Sequence, residues 1–269
     1  MRVLFSALAL ASTVAAVTSV AVGAPQSREE NALQQAIAAP GRSPENVARD
    51  RFRHPAATLR FFGVEPDDTV VEIWPGGGWY TEILAPYLRA RGTLWEAAPM
   101  PDGLKAIRRM QAETPEVYGT IRTAAFPATS GQSGVPDGSA DVVLTFRNAH
   151  NWQMAGPETA QAAFDQMYSM LKPGGTLGVV DHRLGEDQTG IAEGDSGYMK
   201  AGTIIAYAEK AGFKLADRSD VNANPKDTHD HPKGVWTLPP TYSLGDTDRA
   251  QYAAIGESDR MTLRFVKPE

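Results

Sequence analysis

The strongest chemical signal in the sequence is the run Val70-Val71-Glu72-Ile73-Trp74-Pro75-Gly76-Gly77-Gly78-Trp79-Tyr80. Consecutive glycines let a backbone turn come close to a ligand. A helix that starts after them points free N–H groups at it. Glu72 puts a carboxylate just before the turn, and Glu96, 18 residues after Gly78, supplies another. A dinucleotide fingerprint would read G-x-G-x-x-G. Gly76 and Gly78 fit it, but Thr81 stands where the third glycine should be. The next signal is Phe146-Arg147-Asn148-Ala149-His150-Asn151-Trp152. A hydroxyl is a poor nucleophile until its proton is being removed, and imidazole titrates near neutral pH, so His150 is a candidate general base. Asn148 could orient a substrate beside it, with Arg147 and Trp152 lining the same space. Asp181-His182-Arg183 offers a further substrate-lining imidazole in His182.

Other chemistry-bearing clusters have plainer readings. Arg49-Asp50-Arg51-Phe52-Arg53-His54 reads first as a solvated helix face and second as part of a lid. His229-Asp230-His231, with Asp227 nearby, has the alternation of a chelate. One such pair in a Pro- and Asn-rich loop does not define a metal centre, and no metal is expected. Trp236 and Tyr242 read as packing or lid residues.

These groups need a frame that brings them to one edge. Residues 69–73 form a short apolar run between Asp67-Asp68 and Pro75-Gly76, which predicts a strand. Further strands are predicted at 93–96, 120–125, 140–146, 176–181, 214–221 and 260–267. Helices are predicted over 43–62, with Ser43 as N-cap and Pro44 at the first helical position, and over 80–89, 103–112, 158–171 and 200–211. Pro86 should kink or shorten the second of these. Lys172-Pro173-Gly174-Gly175 should close the helix opened by Pro157. Strands alternating with helices predict an α/β fold with a mostly parallel sheet covered on both faces. Such a sheet binds ligands beyond the carboxyl ends of its strands, where strand order reverses. That edge lies just after residues 73, 96, 146 and 181.

An acidic residue ending the first strand, a glycine-rich turn and an acidic residue ending the second strand resemble the class I S-adenosylmethionine-dependent methyltransferases. The resemblance runs from about residue 61 to 267. Leu171-Lys172-Pro173-Gly174-Gly175-Thr176-Leu177 resembles the family's turn into its fifth strand, and the last two strands resemble its closing antiparallel hairpin. More narrowly, the chain looks like a group of exported predicted methyltransferases with a Trp-Pro-Gly-Gly-Gly-Trp-Tyr turn. The resemblance implies a doubly wound, Rossmann-like sheet of seven strands. It also implies S-adenosylmethionine as cofactor, held by Glu72, Pro75, Gly76, Gly77, Gly78, Trp79, Tyr80, Glu96 and Phe126. Glu72 would accept from the methionine ammonium and Glu96 from the ribose hydroxyls. The substrate would be a small molecule presenting a hydroxyl. The segment around His150 resembles the His-Asp-Trp segment of some O-methyltransferases, where the His is the base; here Asn151 replaces the Asp.

Two departures stand out. Trp74 replaces the family's first glycine. Where the family places an Asp near the adenine, this chain reads Thr123-Ala124-Ala125-Phe126-Pro127, leaving backbone or Phe126 to meet the base. Both departures also suit an exported ligand-binding protein of the same fold without methyl transfer. A nicotinamide-dependent oxidoreductase is disfavoured by Thr81.

Composition bounds the rest. Across 269 residues, 42% are hydrophobic and 22% charged, the balance of a globular protein. Zero Cys excludes disulfide scaffolds, thiolate metal sites and thiol nucleophiles. A formal charge of −6 argues against a nucleic-acid partner. Residues 1–24 combine Arg2, an Ala/Val/Leu-rich stretch and small residues at Ala21, Gly23 and Ala24. That is the pattern of a cleaved signal peptide, so a periplasmic or secreted protein is expected, with no membrane span once it is removed. A flexible lead-in is expected over 25–42 and one domain over 43–269.

Overall fold

The computed structural model describes residues 28–132 and 134–269. The expected signal peptide at 1–24 lies outside the described residues. Among those residues no helix is long and apolar enough to cross a membrane.

Among the described residues nine strands occur: β1 Thr69–Ile73, β2 Thr93–Ala98, β3 Arg122–Ala125, β4 Ala140–Phe146, β5 Leu171–Leu184, β6 Met199–Lys200, β7 Lys214–Ser219, β8 Pro232–Val235 and β9 Arg260–Val266. The main sheet runs β3-β2-β1-β4-β5-β9-β7, with β6 added beside β5. Its path has the expected seven strands, and the two-residue β6 makes an eighth off that path. β1 to β5 pair in parallel, and β9 is antiparallel to both β5 and β7. Strand order reverses between β1 and β4, which creates the ligand-binding crevice of an open α/β sheet.

The central strands are apolar because both faces are covered. Val71, Ile73, Val143, Leu177 and Val179 pack with Phe164 and Met167 on one face. Val70, Val142, Leu144 and Val180 pack with Leu59, Phe62, Ile83 and Leu84 on the other.

Pro86 lies inside the helix Thr81–Leu88, which ends two residues after it and is one residue shorter at each end than the expected span. Burial of Ile83, Leu84, Tyr87 and Leu88, at about 1.5–3 kcal/mol for a large apolar side chain, offsets the ~3 kcal/mol that a helix-interior proline costs. The helix opened by Pro157 ends at Met170, ahead of the Lys172–Gly175 turn as expected, and residues 172–175 stand without partners on β4. β5 starts at Leu171 opposite Ala140, and the register shifts before Val142 meets Thr176. The expected flexible lead-in holds a helix, Arg28–Ile37, whose Leu33 and Ala36 are buried and which packs on the helix Thr81–Leu88. Finally, β7 and β9 are not joined by a simple turn. The connection carries β8 and a helix, Arg249–Ile255, and folds back over the carboxyl edge of the sheet.

Candidate active site

A cavity of about 300 Å³ opens at that edge. Its floor is the turn after β1. Asn148, after β4, ties the two neighbouring strands together: its Nδ2 donates to the Ile73 carbonyl at 2.8 Å and to Thr145 Oγ1 at 3.1 Å. Gly76 (φ 59°) and Gly77 face the cavity, and a Cβ on either would meet nothing within 4 Å. Gly78 (φ 86°) faces inward instead, where a Cβ would lie 2.8 Å from Met110 Sδ. Trp74 takes the left-handed conformation (φ 52°) that glycine normally supplies. Its indole N–H donates to the Phe126 carbonyl at 3.0 Å, and its ring meets Trp152 edge-on at 5.7 Å.

Two carboxylates sit side by side behind the turn, since Glu72 and Glu96 are register partners on β1 and β2. Thr81 Oγ1 donates to Glu72 at 2.9 Å. Burial pushes the Glu72 carboxyl up to about 7, although the Thr81 hydroxyl and the Arg53 charge pull the other way. Burial, and then the Glu72 charge, hold Glu96 well above the usual carboxylate range. Both Glu96 oxygens are buried without a hydrogen-bond partner.

Opposite the glycines stands His150. Its Nδ1 lies 2.8 Å from Asp181 Oδ1, and its backbone N–H donates to Asp181 Oδ2 at 3.1 Å. Asp181 is fully buried in β5. The carboxylate fixes Nδ1 as the protonated nitrogen and leaves Nε2 with a lone pair. His182 is 5.1 Å from His150 ring to ring, and its Nδ1 lies 2.5 Å from Ser258 Oγ. Burial, followed by the charges of His150, Arg147, Arg260 and Arg53, drives the His182 pKa well down and keeps the ring neutral.

The cavity thus brings together Glu72, Pro75, Gly76, Gly77, Trp79, Tyr80, Arg147, Asn148, His150 and His182. Gly78, Glu96, Phe126 and Trp152 do not line it. Trp152 is 1% exposed and belongs to the core under Phe164, so a substrate-lining position for it is corrected. Phe126 is fully buried, and its carbonyl already serves Trp74. The Asn148 amide N–H groups are spent on the strands, so only its carbonyl oxygen is free for a substrate. His229 and His231 lie away from the cavity. His231 Nε2 is 2.8 Å from Asp227 Oδ1, and Asp227 also holds the Tyr198 hydroxyl and the Asp259 N–H.

Several lining residues escape a sequence reading. Arg49 and Arg53 both enter the cavity, while Arg51 and His54 stay exposed. Their i, i+4 spacing was the available signal, because it puts both on one helical face. Asp181 was marked by a lone charge ending an apolar strand. Nothing local marks Glu257 or Ser258, which arrive through the long β7–β9 connection along with Trp236 and Thr241.

Comparison with known proteins agrees with this geometry. Residues 71–179 match the family model described as a methyltransferase domain. Among solved structures, the chain is similar to an S-adenosylmethionine-dependent methyltransferase from Aquifex aeolicus, with 12% identity, 88% of this chain and 98% of that one covered, and a TM-score of 0.56. It is similar to the S-adenosylmethionine-dependent methyltransferase SibL, with 16% identity, 88% and 62% covered, and a TM-score of 0.52. It is also similar to the [4+2]-cyclase SpnF, with 16% identity, 88% and 92% covered, and a TM-score of 0.57. No curated protein sequence matches the chain.

S-adenosylmethionine is the cofactor named for two of these solved structures. The residues present fit it in two respects. Gly76 and Gly77 leave open space at the turn, and Glu72 offers a carboxylate to an ammonium, whereas Glu96 is buried behind the cavity and does not line it. At the aromatic end, Trp74 rather than Phe126 faces the cavity. Residues 71–179 thus match a methyltransferase-domain model, and the chain has the fold of solved S-adenosylmethionine-dependent methyltransferases.

Proposed function

We propose that this protein methylates a hydroxyl of a small molecule held in the cavity, with His150 as general base. When bound, S-adenosylmethionine supplies a methyl group on a sulfonium, whose thioether leaves without acid assistance. The chain must align the acceptor, exclude water and take the hydroxyl proton. Nε2 of His150 is the group for that proton. Asp181, held on Nδ1, supports the imidazolium that results. His182 is a poor alternative, because burial and then the surrounding cations disfavour its charged form. Asn148 positions rather than reacts, since its amide locks β1 to β4. Trp236 stands 6.1 Å from the His150 ring and, with Pro239 and Thr241, roofs the cavity against water.

The observation that carries this reading is the His150–Asp181 pair opening onto the cavity that Gly76 and Gly77 floor. The test is transfer of a labelled methyl group from S-adenosylmethionine to a panel of phenols and hydroxy acids. His150→Gln should keep S-adenosylhomocysteine affinity and lose about 10²–10⁴ in rate. Equal rates in the two proteins on an accepted substrate would remove the base.

A second reading, ligand binding without methyl transfer, is favoured by one feature. Trp74 takes the first-glycine place and occupies the Phe126 carbonyl. The leader-like residues 1–24 support export, with a mature chain beginning near Pro25. N-terminal sequencing of the extracytoplasmic fraction tests that, and an intact Met1 would refute it.

A further inference from the structure

One end of the cavity is lined by Arg49, Arg53 and Arg147, with Arg260 immediately behind. The Asp181 charge acts on Arg147 and the Glu72 charge on Arg53, and the carboxylate hydrogen-bonded to three of these guanidinium groups is Glu257. It accepts from Arg49 Nε at 2.7 Å, Arg53 Nε at 3.1 Å and Arg260 Nη1 at 3.0 Å. Burial would raise the Glu257 pKa, but the arginines outweigh burial and hold it at about 2. Its one charge is fully used. Arg49 Nη2, Arg53 Nη2 and Arg260 Nε remain buried with no partner. Arg53 is only 3% exposed, so its unpaired N–H cannot be satisfied by bulk water. Arg147 is held in the left-handed region (φ 64°), a conformation costly for a side chain of this size and one that clusters at functional sites.

Buried cations are normally paired. We propose that this recess binds an oxyanion, a carboxylate or phosphate, carried by the methyl acceptor. Fork-like guanidinium N–H pairs match the oxygens of either group. His150 is three residues from Arg147 and lines the same cavity, so an acceptor anchored here can present its hydroxyl to Nε2. The same positive field disfavours a metal on His150, Asp181 and His182, although their spacing would admit one. The oxygens of Asp181 also already serve His150 Nδ1 and the backbone N–H groups of His150 and His182.

The anion site rests on this geometry alone; its assignment to the acceptor rests on the proposed methyl transfer. The rival source is the carboxylate of the cofactor itself. Calorimetric titration with inorganic phosphate, with and without saturating S-adenosylhomocysteine, separates the two. Saturable phosphate binding that survives the second ligand is expected. Arg147→Gln should weaken it about ten- to hundred-fold. Arg49→Gln, at a partly exposed arginine, provides a second variant should the first fail to fold by thermal melting. Displacement of phosphate by S-adenosylhomocysteine would overturn the acceptor assignment. No saturable phosphate binding to folded wild-type protein would overturn the site itself. Phosphate binding to a protein that takes up no S-adenosylhomocysteine would support the site and refute the methyltransferase reading.

Discussion

His150 and Asp181 are joined twice, through Nδ1 to Oδ1 at 2.8 Å and through the backbone N–H to Oδ2 at 3.1 Å. The carboxylate therefore fixes both the ring and the chain that carries it. β4 ends at Phe146 beside β5, and Asp181 lies in the stretch of β5 just beyond the last register pair, Phe146 with Val180. Two parallel strands thus bring His150 and Asp181 together behind the cavity that His150 lines.

Asp181→Asn should retain the fold and S-adenosylhomocysteine affinity while losing most of the methyl-transfer rate. The amide can present N–H to Nδ1 and so select the wrong tautomer. Losses from such a change reach about 10⁴ in a comparable acid–imidazole pair. Single-turnover rates of the two proteins, with calorimetric affinities alongside, check this. A rate within twofold of wild type would mean that Asp181 is structural only.

Glu72 should make both stability and ligand binding depend on pH. Its folded-state pKa of about 7 stands above the ordinary 4.5. Between those values the unfolded chain releases the proton and the native state keeps it. Stability is therefore greatest below about pH 4.5 and falls as pH rises through 7. Melting temperatures of wild type and Glu72→Gln across this window should converge at low pH, and the wild type should lose ground as pH rises. Affinity for the ammonium of S-adenosylhomocysteine should move the other way, strengthening as Glu72 ionises. A pH-independent difference between the two proteins would remove both claims.

The glycines should separate by role. Gly77→Leu faces open space with no positive φ, so it should fold normally and weaken S-adenosylhomocysteine binding. Gly78→Ala meets Met110 and a left-handed backbone, so it should lower stability by about 1–3 kcal/mol. Denaturant midpoints and ligand titrations read the two effects. A destabilised Gly77→Leu would show that this glycine, too, is packing.

The parallel sheet and the glycine turn were legible because buried strands and a turn leave local marks: Val70, Val71 and Ile73 followed by Gly76–Gly78. Position after a strand was enough to gather His150, Asn148 and His182 at one edge, because parallel strands share a carboxyl end. The sequence misled where packing overrode a local rule. Trp152, read as a pocket residue, points into the core. It was silent where contacts are remote. Glu257 reaches Arg49 and Arg53 across more than two hundred residues, and no spacing encodes that.

The most direct test is calorimetric titration of S-adenosylhomocysteine into the purified wild-type protein and His150→Gln. Saturable binding of one ligand per chain is expected, with equal affinity in both proteins and loss in Gly77→Leu. Absence of binding to folded wild-type protein at millimolar ligand would contradict the assignment of this cavity to a methyl-transfer cofactor.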